Sequence, residues 1–234
     1  MVRLTRIAFF AAVALAICAA VLLSAGGVPA PARAATASAP RPPITQKYVP
    51  FGAKRKAETA VYNKRHYHEN TFALTNPKVV VLHFTAGAQW QSAWNTFAAD
   101  SKYMSTPGLW EYPGVSAHFI VCKDGTIIQC LPLSLRGRHA IGLNWTAIGI
   151  EIVQEVPSGN TGHWADQQIL HRTKQIDAVL RLVRYLQGRF HIKTGNVTGH
   201  AMANSSPYFK DYTGAKNATG DWVKQDVRAF RARL

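Results

Sequence analysis

The sequence predicts an α/β domain, with a central mixed β-sheet and helices packed on its faces. Three observations predict it. Two apolar runs of strand length, residues 79–82 and 147–153, lie far apart in the chain and carry one charge between them, Glu151, as strands buried inside a sheet do. An Asp124-Gly125 step between two further apolar runs signals a hairpin. Ile169, Ile176, Val179, Val183, Leu186 and Phe190 then recur at helical spacing and mark a long amphipathic helix.

The 234-residue chain opens with Arg3 and Arg6, an uncharged apolar run over 7–23, the breakers Gly26, Gly27 and Pro29, and a small-x-small Ala32-Arg33-Ala34 step. That order predicts a signal peptide over 1–34 and a secreted protein, extracellular or in the cell wall. The apolar run is nearly long enough to span a bilayer, so an N-terminal membrane anchor is the alternative. Residues 35–45, rich in Ala, Ser, Thr, Pro and Arg, read as a flexible linker. The rest, 46–234, suits one domain with its own core.

Within that domain, residues 78–83 read as a strand ending in His83. Residues 89–101 read as a helix with Trp90, Trp94 and Phe97 on one stripe, and Pro107-Gly108 closes the region. The hairpin takes 116–122 and 126–131. With Lys123 opposite Thr126, Cys122 faces Ile127 and Cys130 falls on the other side of the sheet, so two buried free thiols are expected. Residues 147–155 form an inner strand and 165–190 the long helix, whose Arg172, Lys174, Arg181 and Arg184 are read as a solvated face. A strand end at 197–200 and a helix over 223–234 complete the order.

The formal charge is +15, of which about +12 lies beyond Ala34. An exported protein this basic is drawn to anionic polymers, such as those of a cell wall. No Lys/Arg run interleaved with aromatics marks a dedicated nucleic-acid site. A monomer is expected.

The chemistry points to His83 and His200. Both stand at strand ends, where folds mount ligands and catalytic groups. Their wide separation makes sense if adjacent strands deliver both rings to one rim of the sheet. A catalytic zinc needs three protein ligands and one open position. The third ligand should follow His200 closely, and Asp211 and Asp221 are the candidates; Asp221 could equally cap the last helix. No HExxH and no GxSxG occurs, which argues against a helix-borne zinc protease and against a serine hydrolase. Glu151, set in Ile-Gly-Ile-Glu-Ile-Val, is costly to bury without a partner or a task, and beside a metal-held water it could act as general base.

In this order the segments Val81-Leu82-His83-Phe84-Thr85-Ala86, Ser116-Ala117-His118-Phe119, Asp124-Gly125-Thr126, Arg138-His139-Ala140, Asn144, Ile148-Gly149-Ile150-Glu151 and Gly199-His200 resemble the type-2 N-acetylmuramoyl-L-alanine amidases. These are zinc enzymes related to phage lysozyme-amidases and peptidoglycan recognition proteins. The resemblance implies zinc held by His83, His200 and Asp221, with Asp211 as runner-up. It implies Glu151 as base, with His139, Asn144 and Arg138 holding substrate. The implied reaction is hydrolysis of the bond between the lactyl group of N-acetylmuramic acid and L-alanine in peptidoglycan. His118, inside a strand, is read as structural or as support for the site. Two departures stand out: Ala117 where lytic relatives often carry Tyr, and Thr219 where they carry Lys. His139, Arg138 or Lys216 would then have to stabilise the oxyanion. The departures also favour the competing reading, a non-catalytic peptidoglycan-binding module on the same fold.

Overall fold

The computed structural model describes residues 39–234. The signal segment, with Cys18, and residues 35–38 of the expected linker lie outside the described residues; the linker's last residue, Thr45, is not loose but pairs with Ile128 in the sheet. Among the described residues no helix is long and apolar enough to cross a membrane.

The described chain runs β1 (Thr45–Gln46), α1 (Ala53–Tyr67), β2 (Val79–Ala86), α2 (Trp90–Ala99), β3 (Tyr103–Thr106), β4 (Leu109–Glu111), β5 (Phe119–Val121) and β6 (Ile127–Gln129). It continues through β7 (Ala147–Glu155), α3 (Gly162–His171), α4 (Thr173–Phe190), β8 (Val197–Gly199) and α5 (Lys224–Arg231), with short 3-10 turns on either side of β8. Six strands form one sheet in the order β1-β6-β5-β7-β2-β8. Only β5 and β6 pair antiparallel within it. β3 and β4 form a separate hairpin.

The alternation along β2 and β7 divides the sheet into two faces. Val80, Leu82, Ile148, Ile150 and Ile152 point to the face covered by α3, α4 and α5, where they pack with Ile176, Val179, Val183, Leu186, Trp222 and Phe230. At about 25 cal/mol per Å², this buried apolar face is the main source of the fold's stability. The opposite face carries Val79, Val81 and His83 beside Ala147, Gly149 and Glu151. It is roofed by α1, α2 and the loops after β6 and β8, and it holds the polar residues of interest.

Several details of the sequence reading change: β2 runs on to Ala86, three residues past the expected end at His83. The expected helix over 165–190 is two helices, broken at Arg172 (φ −89°, ψ 89°). There the guanidinium bonds Gln154 on β7 and Gln175 on α4. Gln175 in turn donates to the carbonyls of Val121 and Val153 at the sheet's end. The hairpin register is also shifted by one, because its loop holds three residues: Val121 pairs with Ile127, so Cys122 stands opposite Thr126. Cys122 and Cys130 therefore share a face and one apolar cluster. Both are buried and free. Four residues along a strand separate the two thiols by roughly 13 Å, beyond disulfide reach.

Candidate metal centre

Parallel pairing brings the distant histidines together. Leu82 on β2 stands opposite Gly199 on β8, so His83 and His200 occupy the next level of two adjacent strands. Their Nδ1 atoms are 3.1 Å apart. Asp221 reaches the same point from the loop before α5, with Oδ2 3.2 Å from His83 Nδ1 and Oδ1 3.3 Å from His200 Nδ1. Donors about 3.3 Å apart are the edges of a tetrahedron around an ion 2.0–2.1 Å from each, the spacing of zinc with nitrogen and oxygen ligands. The donor set therefore fits a metal. Asp221 does not cap α5, whose N-terminal residue is preceded by Val223 with no side-chain cap.

The surroundings fix the rings as ligands. Asn217 is oriented by Ile141, whose N–H donates to its Oδ1 at 3.0 Å and whose carbonyl accepts from its Nδ2 at 2.9 Å. Its Oδ1 then accepts from His200 Nε2 at 3.0 Å. That places the proton of a neutral His200 on Nε2 and leaves the Nδ1 lone pair facing the cluster. His83 is held likewise: its Nε2 lies 3.1 Å from His139 Nδ1. His139 lies flat over Gly149, where a Cβ would sit 2.7 Å from the ring. His118 stays underneath, with Nε2 donating to the Leu135 carbonyl and Nδ1 accepting from the Gly149 N–H.

Asp221 is placed by its neighbour. Trp222 is fully buried with φ 55°, a left-handed conformation that a bulky residue adopts only when held. Its indole donates to the His83 carbonyl at 3.3 Å. Buried Asp166 on α3 accepts from the backbone N–H of both Trp222 and Val223 at 3.0 Å. Gly199 lets the Trp222 backbone approach, since a Cβ there would lie 1.8 Å from its carbonyl oxygen.

Burial, with the His200 charge adding to it, pulls His83 down to about 4. Burial and the neighbouring imidazoles hold His139 well below its ordinary value. Burial acts the same way on His200, but the Asp221 carboxylate overcomes it and leaves that ring raised. Burial pushes Asp221 up, yet hydrogen bonds from His200 and His83 hold it well below the carboxylate range. Glu151 stands opposite His83 on β7. Burial, aided by the Asp221 charge, raises it to about 8. Its Oε2 is buried without a hydrogen-bond partner. A divalent cation at the cluster would lower that value and give the oxygen a function.

The remaining expected residues fall differently. Asp211 lies outside the cluster, with Oδ2 2.6 Å from His66 Nδ1. Arg138 and Asn144 line a cleft of about 470 Å³ beside His200, together with His139, Lys216 and Thr219. Their polar atoms are nevertheless engaged by the protein. Asn144 Oδ1 accepts from the N–H of His139 and Ala140, and its Nδ2 donates to the Tyr62 hydroxyl. Arg138 donates to the carbonyls of Glu111, Pro113 and Tyr103 and to Ser105 Oγ. Both shape the cleft wall, with these groups turned to the protein. Ala117 is buried in the cluster under α2, away from the cleft. Asp166 had drawn no attention in the sequence, and Asn217 and Trp222 had been given no part in holding the site. Only the placement of Asn217 between His200 and Asp221 hinted at a role.

A family model described as N-acetylmuramoyl-L-alanine amidase matches residues 73–220. No curated protein matches the chain significantly. Among similar solved structures is a mutant endolysin from Bacillus subtilis, at 26% identity, covering 68% of this chain and 83% of that one, with a TM-score of 0.41. The endolysin amidase LysCS from Clostridium intestinale URNW is 19% identical, covering 82% and 96%, with a TM-score of 0.47. AmiD from E. coli, in complex with anhydro-N-acetylmuramic acid-L-Ala-D-gamma-Glu-L-Lys, is 25% identical, covering 55% and 50%, with a TM-score of 0.39.

Proposed function

The chain belongs to the N-acetylmuramoyl-L-alanine amidase family, and from its site we propose a zinc-dependent hydrolase of bacterial peptidoglycan whose general base is Glu151. The reaction of the family is hydrolysis of the amide between the lactyl group of N-acetylmuramic acid and L-alanine. The observation that carries the zinc reading is the trio His83, His200 and Asp221, whose ligand atoms converge, with the two Nδ1 atoms 3.1 Å apart and the Asp221 carboxylate 3.2 and 3.3 Å from them. Zinc there supplies Lewis acidity toward the scissile carbonyl and its attacking water.

The chain's own groups do the rest. His83 and His200 offer Nδ1, with protons held away from the centre by His139 and Asn217. Glu151 Oε2, otherwise unpartnered, takes a proton from the attacking water and delivers it to the departing alanine nitrogen. Arg138 is tied to four acceptors and cannot turn toward an oxyanion, whereas Lys216 lines the cleft beside His200. We therefore assign the positive charge opposite the developing oxyanion to Lys216.

The proposal includes export through the segment over 1–34 and attraction of the basic exported chain to anionic wall polymers. Glu151→Gln tests the base: zinc content should stay at one ion per chain while turnover falls by about two to four orders of magnitude. Near wild-type turnover in that variant would remove Glu151 from the mechanism.

A further inference from the structure

The cleft wall formed by the β3–β4 hairpin is chemically distinct. From Tyr103 to Trp110 it carries no charged side chain. Tyr103, Met104 and Trp110 are 55%, 43% and 58% exposed. Met104 and Trp110 are cross-strand partners, so thioether and indole lie side by side on one face. Residues 103–107 line the cleft that reaches His200 and Thr219, and Trp110 extends that wall through Met104. Large apolar side chains clustered in the open beside a cleft mark a binding surface.

The base of the hairpin is fixed by buried charges that hydrolysis does not use. Glu111 on β4 accepts from His66 Nε2 at 2.6 Å and Arg65 at 2.8 Å, and the Ser105 hydroxyl bonds the same carboxylate. Asp211 takes the other nitrogen of His66 at 2.6 Å. Arg138 donates 2.7 Å to the Glu111 carbonyl, 2.6 Å to that of Pro113, 3.0 Å to that of Tyr103 and 2.7 Å to Ser105 Oγ. Buried charges of this kind are tolerated only when paired and hydrogen-bonded. Here they hold a surface hairpin in one position, as a preformed binding wall requires.

We propose that the β3–β4 hairpin is a glycan subsite, with Trp110 and Met104 as a platform for the N-acetylated sugar rings flanking the muramoyl residue that is cleaved. This rests on peptidoglycan hydrolysis at the adjoining centre. Sugar rings present flat C–H faces and neutral amides, which suit an uncharged wall of indole and thioether. The peptide stem carries carboxylates, for which this uncharged wall offers no countercharge.

The test compares wild type, Trp110→Ala and Trp110→Phe in the full chain, on polymeric peptidoglycan and on a single N-acetylmuramoyl peptide. In Trp110→Ala, kcat/KM on the polymer should fall about tenfold relative to the small substrate, mainly through KM, and Trp110→Phe should recover most of it. Peptide-free glycan strands should change wild-type tryptophan fluorescence and fail to do so in Trp110→Ala. Equal losses on both substrates, or an unchanged ratio, overturn the subsite. A wild-type protein that cleaves neither substrate yet binds peptide-free glycan would remove the hydrolytic reading and leave the subsite standing.

Discussion

Asp166→Ala should weaken both the fold and the metal centre, although Asp166 touches neither a ligand nor substrate. The wild-type carboxyl is buried and accepts two backbone N–H groups, those of Trp222 and Val223, each at 3.0 Å. Burial raises the Asp166 carboxyl to about 8, so near neutral pH it bonds mainly as the neutral acid; the substitution leaves two backbone donors without this partner, at about 1–3 kcal/mol each. A loss of about 3–5 kcal/mol follows. For a domain of this size each kcal/mol moves Tm by about 2–4 °C, so thermal unfolding should shift down by about 6–20 °C. The same bonds hold Trp222 in its left-handed conformation, and Asp221 precedes it, so metal affinity should weaken about 10- to 100-fold, as when other supports of metal ligands are removed. Calorimetry and competition with a fluorescent zinc chelator read the two effects on one sample. A Tm within 2 °C of wild type, with unchanged affinity, would refute the claim that α3 positions the third ligand.

Other consequences are equally open to measurement. Asp221→Asn should abolish stoichiometric zinc, whereas Asp211→Asn should keep the metal and lose stability, because Asp211 serves His66; the reverse pattern would exchange their roles. The His66 cluster also sets a pH window. Burial opposes charge on Glu111 and Asp211, but hydrogen bonds with His66 hold both carboxyls below their ordinary values. Their contribution is present above about pH 4 and is lost as pH falls through the lowered folded values. Burial would lower His66, but the two carboxylates leave it raised. Its contribution is full below about pH 6.5 and is lost as pH rises through the raised folded value. Tm measured from pH 3 to 9 should therefore fall at both ends, and Asp211→Asn should flatten both limbs. Burial raises the Cys122 and Cys130 thiols to about 11 and about 12, so neither should react with a thiol reagent until the chain unfolds.

What the sequence made legible follows from where its signals were apolar. β2 and β7 are largely apolar runs; β7 keeps its expected bounds, whereas β2 runs three residues past His83 to Ala86, where its apolar signal gives out. The pairing of two distant strand ends was inferable because an isolated histidine after such a run needs a partner. α1 was missed because its buried positions, Arg55, Thr59, Tyr62, Asn63 and His66, recur at helical spacing but are mostly polar. Hydrophobic periodicity cannot register such a helix. The β3–β4 hairpin hid behind Pro107-Gly108, read as an end when it is a turn, with Gly108 at φ 84°. Arg138 and Asn144 looked like substrate contacts because charged and amide residues near a site usually are. Arg138 is held by carbonyls of the 103–113 segment and Asn144 by two backbone N–H groups and the Tyr62 hydroxyl, partners whose approach no local pattern encodes. The residues alone left Asp221 and Asp211 open and the resemblance favoured Asp221, which the loop that wraps Trp222 beneath β2 brings to the two histidines.

The most direct test of the account is the release of labelled fragments from purified peptidoglycan, with metal content measured on the same preparation and N-terminal alanine assayed in the products. The account predicts one zinc per chain, loss of release with a chelator, recovery on adding zinc, and a new alanine amine for each bond cut. Undiminished release from metal-free protein, or release without new N-terminal alanine, would contradict it.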